Sequence, residues 1–459
     1  MSQDAFASLY AAHEKIYPRE IHGRFQSLRT AAVYLLLGLY YALPWLQWGD
    51  RQAVLFDLPA RRFYVFGLIF WPEDFFYLAW LLVLAALTLF LSTALAGRLW
   101  CGYACPQTVW TEVYLWMERW VEGDRNARIK LDRAPRTWRK ILRKGLKQAL
   151  WIGFALWTGF TFVGYFTPIR DIGAHLLAGE LGPWAVFWWL FYALATYGNA
   201  GYLREQVCKY MCPYARFQSA MFDEDTLIIA YDTRRGEPRG KRKKGVDPRA
   251  AGLGDCVDCS RCVQVCPTGI DIRDGLQYEC IACGACIDAC NDVMDKIGYP
   301  RGLIRYTTER RDREGRLRIL RPRIAIYALL WAALAGGLLA ALWGRPDLAA
   351  ALIHDRNTLY RMVGADRIEN GYRLDLLNKT DAPRRLTLRL EGGPPGLALD
   401  GPRSFLLGPA ERVSVALRLV APRDAVRAPS STVVFSFEED GREVARREVR
   451  FLGPVSSGR

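Results

Sequence analysis

The sequence predicts a multi-domain protein. It combines an α-helical membrane domain of five spans with a cytoplasmic ferredoxin-like insert for two 4Fe-4S clusters and a C-terminal all-β immunoglobulin-like sandwich. Three observations lead there. Five windows, at 30–48, 76–97, 149–167, 183–203 and 324–343, carry no charged residue, and a bilayer takes about 20 helical residues to cross. Eight cysteines between Cys256 and Cys290 repeat one spacing twice. Beyond Trp343 the apolar residues alternate with polar ones, the period of a half-buried strand.

Bulk composition hides this pattern. Of 459 residues, 51% are hydrophobic and 24% charged, close to a soluble average, but the two classes are segregated along the chain. The apolar content excludes disorder. All 12 Cys lie between Cys101 and Cys290, which excludes a secreted disulfide scaffold spread along the chain.

Five such windows, several flanked by Trp or Tyr, read as membrane spans and not as buried helices of a soluble protein. Nothing before Thr30 resembles a cleavable leader, so the first span is expected to act as an uncleaved anchor. The piece 63–71 is too short to span and is expected at the interface or as a strand.

Basic loops stay in the cytoplasm. The tail 1–29 holds Lys15, Arg19, Arg24 and Arg29, whereas 49–75 offsets Arg51, Arg61 and Arg62 with Asp50, Asp57, Glu73 and Asp74. The stretch 98–146 is dense in Arg and Lys, 168–182 has only Arg170, and 205–323 is basic again. The expected order is therefore a cytoplasmic tail (1–29), a four-span domain (30–204), a cytoplasmic basic region holding the dicluster domain at about 250–300 (205–323), a fifth span (324–343) and a periplasmic sandwich (344–459). The net charge of +15 and the basic run 241–244 follow from this bias and from anionic lipid. No nucleic-acid partner is expected.

Cys256, Cys259, Cys262 and Cys266 form C-x2-C-x2-C-x3-C followed by Pro267, and Cys280, Cys283, Cys286 and Cys290 repeat it, followed by Asn291. This is the bacterial ferredoxin run, in which the fourth Cys of each run ligates the other cluster. Cluster one is assigned Cys256, Cys259, Cys262 and Cys290. Cluster two is assigned Cys280, Cys283, Cys286 and Cys266. Zinc ligand pairs are normally separated by a longer loop. The compartment is reducing, so no disulfides are expected.

The other four cysteines form Cys101-Gly-Tyr-Ala-Cys105-Pro106 and Cys208-Lys-Tyr-Met-Cys212-Pro213, each four or five residues beyond a span. The membrane domain thus reads as a duplication, two helical hairpins each ending in C-x3-C-P. If the helix continues, both sulfurs of a pair share one face. Four such thiolates suit a further cluster, a soft ion such as Cu(I) or a transient disulfide; the plainer reading is packing cysteines.

None of the four His lies in a span: His13 and His22 precede the first, and His175 and His354 fall in outside segments. Neither haem nor flavin is predicted, and His175 and His354 could offer at most a weak outside metal site. No dinucleotide fingerprint, phosphate loop or nucleophilic triad is present. The outside domain shows strand alternation at Leu386, Leu388 and Leu390, at Val413, Val415, Leu417 and Leu419, and at Val433, Phe435 and Phe437, then the hairpin signal Asp440-Gly441.

The order of these parts resembles the CcoG (FixG, RdxA) family of accessory proteins for assembly of cbb-type cytochrome c oxidase. The stretch Asp355-Arg-Asn-Thr-Leu-Tyr-Arg361 with Ile368-Glu-Asn370 is similar to that family's entry into the sandwich. The resemblance implies a bacterial inner-membrane redox protein, with electrons passing through two 4Fe-4S clusters to reduce Cu(II) to Cu(I) at Cys101, Cys105, Cys208 and Cys212. Its implied partners are copper-handling and oxidase-assembly proteins, with the electron donor unnamed. Two other readings remain: a quinol-linked conduit of the NapH or NosR kind, and a non-catalytic redox scaffold.

Overall fold

The computed structural model of the protein describes residues 15–242, 252–355 and 358–454. His13, Lys243, Lys244, Arg356 and Asn357, invoked above, lie outside that set. The chain divides into two compact units, Met1–Leu46 with Tyr77–Gly337, and Gln47–Phe76 with Leu338–Arg459.

In the first unit each uncharged window holds a helix: Arg24–Ala42, Phe75–Ala96, Trp138–Val163, Pro183–Thr196 and Pro322–Trp343. Two segments, Pro72–Ala96 and Pro322–Trp343, are by themselves long and apolar enough to cross a membrane, and only 11% of each is buried. Leu81, Leu82, Leu329 and Leu339 stand exposed on them, a surface that water does not favour. The two helices meet where Trp331 Nε1 donates to Thr88 Oγ1 at 2.8 Å.

The other three helices depart from the windows, and the reasons are local. The first stops at Ala42, gives a 3-10 turn at Leu43–Trp45, and passes into the strand Gln47–Trp48. Pro44 supplies no N–H and clashes with a continuing helix, which hydropathy alone does not register. The third starts inside the basic stretch, with Trp138, Ile141, Leu142 and Leu146 exposed beside its cations, an interfacial arrangement. The fourth changes at Thr196 to a π-helical turn, Tyr197–Leu203. There Gly201 lies against the Trp151 ring, where an added Cβ would stand 3.1 Å away. Such widened turns recur at functional sites.

The ferredoxin-like part is built on the antiparallel pair Ile228–Tyr231 and Ile304–Thr307, with the helices Arg261–Gln264 and Ala285–Ile297. Ile229, Ile272, Ile287, Met294, Leu303 and Ile304 form its apolar centre.

The second unit is a sandwich of antiparallel sheets. One runs in the order Ala398–Asp400, Arg412–Pro422, Arg367–Asn378, Leu348–His354, with Arg361–Val363 also on Arg367–Asn378. The other runs Ser404–Leu407, Arg384–Gly392, Ser430–Glu439, Arg442–Leu452. Leu374, Leu376, Leu417, Leu419, Phe435, Phe437 and Phe451 fill the space between them. Asp440 and Gly441 both take positive φ, 49° and 79°, as a type I′ hairpin requires.

The piece 63–71 is strand: Arg62–Val65 and Leu68–Phe70 join Val54–Asp57 in a small meander. Its Leu55, Tyr64, Ile69 and Trp71 share a core with Leu377 and Ala410 of the sandwich. Asp74 pins the same contact, pairing with Arg345 and accepting from Lys379 Nζ at 2.7 Å.

Candidate iron–sulfur and thiol sites

The two ferredoxin runs share a backbone signature. In the first, Asp258 and Ser260 take φ of 51° and 55°. In the second, Ala282 and Gly284 take 51° and 76°. These are the second and fourth residues after the leading cysteine of each run. Three of the four are not glycine, and left-handed backbone at such residues persists only where the surroundings impose it.

Each run closes on a cavity. One is lined by Cys256, Cys259, Cys262 and Cys290. The other is lined by Cys266, Cys280, Cys283 and Cys286, with Cys262 at its edge. The remaining walls are mainly apolar, with Arg273 at the first and Thr268 at the second. Burial pushes the Cys262, Cys280 and Cys290 thiols up to about 12 and raises Cys283 and Cys286, with neighbouring cysteines adding to the rise at Cys280, Cys286 and Cys290. Thiolates crowded together without water need positive charge at their centre, which iron supplies. The donor set therefore fits two 4Fe-4S clusters. Arg273 opposes the rise at Cys262, and Arg29 does so at Cys283. Cys259 alone of the eight is exposed, which brings its cavity nearest the surface.

Asn291, where the first run has Pro267, lies inside the helix Ala285–Ile297, and its Oδ1 accepts from Gly302 N at 3.0 Å. A proline there would interrupt the helix.

The C-x3-C-P pairs come together from opposite ends of the duplication, but not on continuous helices. Cys101 sits in the short helix Leu99–Tyr103, and Cys105 is the N-cap of Pro106–Glu122. Likewise Cys208 lies in the π turn Val207–Met211, and Cys212 caps Pro213–Met221. Proline at the first helical position starts the new helix, so the one-face arrangement expected of an unbroken helix is replaced by a break within each motif. The backbone N–H groups of Gln107 and Thr108 oppose part of the rise that burial imposes on the Cys105 thiol.

Two side chains lace the repeats together. Gln107 Nε2 donates to the carbonyls of Asn199 and Arg204, at 2.8 and 3.1 Å. Reciprocally, the Tyr214 hydroxyl lies 2.6 Å from Thr93 Oγ1 and donates to Leu89 O at 3.1 Å. Each stands two residues after the second cysteine of its own motif and bonds the other repeat. The thiols feel one another as a result. Burial, then Cys105 and Cys101, push Cys208 up to about 12, and Cys212 adds to the rise at Cys105.

This thiol group lies on the second ferredoxin cavity. Cys101 packs with Ile281, Cys283 and Ala285. Gly102 touches the ligand loop itself, since a Cβ there would lie 2.7 Å from Ile281 O and 2.9 Å from Cys283 Cα. Cys208 shares a cavity with Pro267, Thr268 and Ile281.

The profile described as "4Fe-4S dicluster domain" matches residues 203–309, that described as "4Fe-4S binding domain" matches 78–125, and one for the "IG-like fold at C-terminal of FixG" matches 338–454. Protein RdxB of Cereibacter sphaeroides is 45% identical over 413 residues, covering 84% of this chain and 86% of its own. Nitrogen fixation protein FixG of Rhizobium meliloti is 41% identical over 424 residues, with 84% and 81% covered. The chain belongs to the FixG/RdxA family. Protein RdxA of C. sphaeroides, 44% identical over 401 residues and 84% of each chain, agrees. As a FixG/RdxA-type iron–sulfur redox protein it carries two 4Fe-4S clusters.

Sequence reasoning missed Arg98, Gln218 and the lacing pair Gln107 and Tyr214. One signal was available: an arginine stands at the end of the uncharged window before each C-x3-C-P motif, Arg98 and Arg204, and both are buried. Of the histidines, His354 is held by Asp355 O and Asn370 Oδ1, at 2.8 and 3.2 Å, and His175 is exposed beside Glu180.

Proposed function

We propose that this chain is a multi-pass membrane cupric reductase serving the assembly of cbb-type cytochrome c oxidase. Cys256, Cys259, Cys262 and Cys290 hold one cluster, and Cys280, Cys283, Cys286 and Cys266 the other. When bound, the clusters supply electrons one at a time at low potential. Cys101, Cys105, Cys208 and Cys212 receive Cu(II) as substrate, and their soft thiolates favour the Cu(I) product. The observation that supports this reading is the packing of Cys101 and Gly102, with Cys208 nearby, against the Ile281–Cys283 backbone.

Two orientations are supported from independent directions. Basic residues crowd the segments beside the clusters, and the meander at 47–76 shares a core with the C-terminal sandwich. On this reading both members of that core are assigned to the periplasmic face, and the basic segments assign the clusters to the cytoplasm.

Anaerobic EPR of the dithionite-reduced protein tests the reductase. Cluster signals that vanish together with added Cu(II), but persist in a Cys101→Ala/Cys105→Ala variant, support it. Reduced clusters standing beside unreacted Cu(II) refute it and favour a quinol-linked conduit.

A second reading has its own support. The "4Fe-4S binding domain" match at 78–125 contains only Cys101 and Cys105 among the cysteines, which favours a further cluster on the four C-x3-C-P thiols. Iron and acid-labile sulfide analysis separates the two, since three clusters' worth of iron would replace two.

A further inference from the structure

Arg98 is buried, with 3% of its surface exposed. Its Nε donates to Gln218 Oε1 at 3.0 Å, and its guanidinium also donates to the backbone oxygen of Tyr278, two residues before Cys280. Gln218, itself wholly buried, accepts from Cys101 Sγ at 3.2 Å through the same Oε1. Arg98 thereby joins the C-x3-C-P thiols to the loop that enters the second ferredoxin cavity.

Among the described residues no carboxylate forms an ion pair with Arg98, although a buried guanidinium needs an anion. The other buried arginines near these sites have one. Arg273 pairs with Asp258 and Asp271, and Arg29 pairs with Glu112 at 3.0 Å. The arginine in the corresponding place of the second repeat, Arg204, is neutralised by Glu118 at 2.9 Å. Arg98 instead reaches the cysteines through two neutral partners, Cys101 by way of Gln218 Oε1 and the loop leading to Cys280 by way of Tyr278 O.

We propose that Arg98 is the shared counter-charge of the C-x3-C-P thiolates and of the Cys280 side of the second ferredoxin site, and that it sets the reduction potential there. A cation beside an iron–sulfur centre stabilises its more negative, reduced form and so raises the potential. Arg98 is a positioning residue, acting on the metal through the thiolates. The C-x3-C-P half of the inference rests on the reading of those cysteines as a metal site; the Cys280 half needs only the cluster.

The test is an anaerobic redox titration of the full-length purified chain, followed by EPR, on wild type, Arg98→Gln and Arg98→Lys. Arg98→Gln, at wild-type iron and sulfide content, is expected to move one cluster midpoint to lower potential and leave the other in place. Arg98→Lys keeps the charge and is expected to restore the displaced midpoint. Unchanged midpoints in loaded Arg98→Gln overturn the proposal, as does an Arg98→Lys midpoint displaced equally far. If Arg98→Gln does not accumulate with clusters, Arg98→Lys decides alone: a wild-type midpoint supports the proposal and a lowered one overturns it. Failure of cupric reduction in the wild type would remove the copper reading without altering these midpoints, so the two failures are distinguishable.

Discussion

Replacing Gly102 with alanine would drive a methyl group into the backbone that carries Cys283. The added Cβ would meet Ile281 O at 2.7 Å, Cys283 Cα at 2.9 Å and Ala282 O at 3.0 Å. All three are backbone atoms, so no side chain can swing away, and the two segments must part by roughly half an ångström to reach ordinary contact. Overpacking of this kind costs about 1–3 kcal/mol. The better helix propensity of alanine in Leu99–Tyr103 returns at most about 1 kcal/mol. A net loss of about 1–2 kcal/mol corresponds to a roughly 5- to 30-fold change in the populations of docked and undocked loop. The assay is the rate at which cluster absorbance bleaches on mild warming, read beside the rate of anaerobic Cu(II) reduction. Gly102→Ala should bleach faster and reduce more slowly. Gly145→Ala, in Trp138–Val163 with nothing within 4 Å, should match or exceed wild-type stability by about 0.5–1 kcal/mol. A Gly102→Ala protein with wild-type bleaching and wild-type reduction would refute the contact as the junction of the two sites.

Glu118 has no exposed side-chain surface and meets Arg204 at 2.9 Å, Arg128 at 3.1 Å, Lys15 at 3.6 Å and Lys147 at 3.9 Å. Glu118→Gln should therefore destabilise the first unit by about 3–5 kcal/mol, measurable as lost accumulation or denaturant resistance at neutral pH. Burial pushes the Glu118 carboxyl up, but Arg204, Arg128 and the two lysines overcome it and hold it at about 2 against an ordinary 4.5. That contribution, about 3 kcal/mol, is full above pH 4.5 and is lost as pH falls toward 2. Wild type should show that loss in cluster-free protein, and Glu118→Gln should not. The ligand partition predicts that Cys259→Ala and Cys290→Ala remove one EPR-distinct cluster while Cys266→Ala removes the other; Cys290→Ala and Cys280→Ala affecting the same cluster would overturn it. Asn291→Pro removes an N–H inside Ala285–Ile297 and the bond to Gly302, at about 3 kcal/mol or more, and should lower the content of the cluster that depends on Cys290.

What could be read without the fold was what depends on short-range order. Tandem runs at fixed spacing identify the ferredoxin clusters because three ligands of each come from one tight loop. Period-2 alternation at Leu386–Leu388–Leu390 identifies strands because a strand face repeats every second residue. Hydropathy located a helix in each uncharged window, yet it misplaced the first helix end, where Pro44 outweighs the apolar run, and the start of Trp138–Val163, which begins among cations.

Other features arise only when distant segments meet. Cys101 and Cys208 become neighbours through Gln107 and Tyr214, whose lacing bonds have no sequence period to betray them. The sequence reads 63–71 as interfacial or strand, but that Leu55, Tyr64, Ile69 and Trp71 pack on Leu377 and Ala410 is visible only in the fold. The sequence shows Arg98 only as one of two arginines that each precede a C-x3-C-P motif. What sets it apart is its burial between Gln218 and the Tyr278 carbonyl with no carboxylate paired to it among the described residues, and burial, unlike charge, is a property that the tertiary structure alone confers.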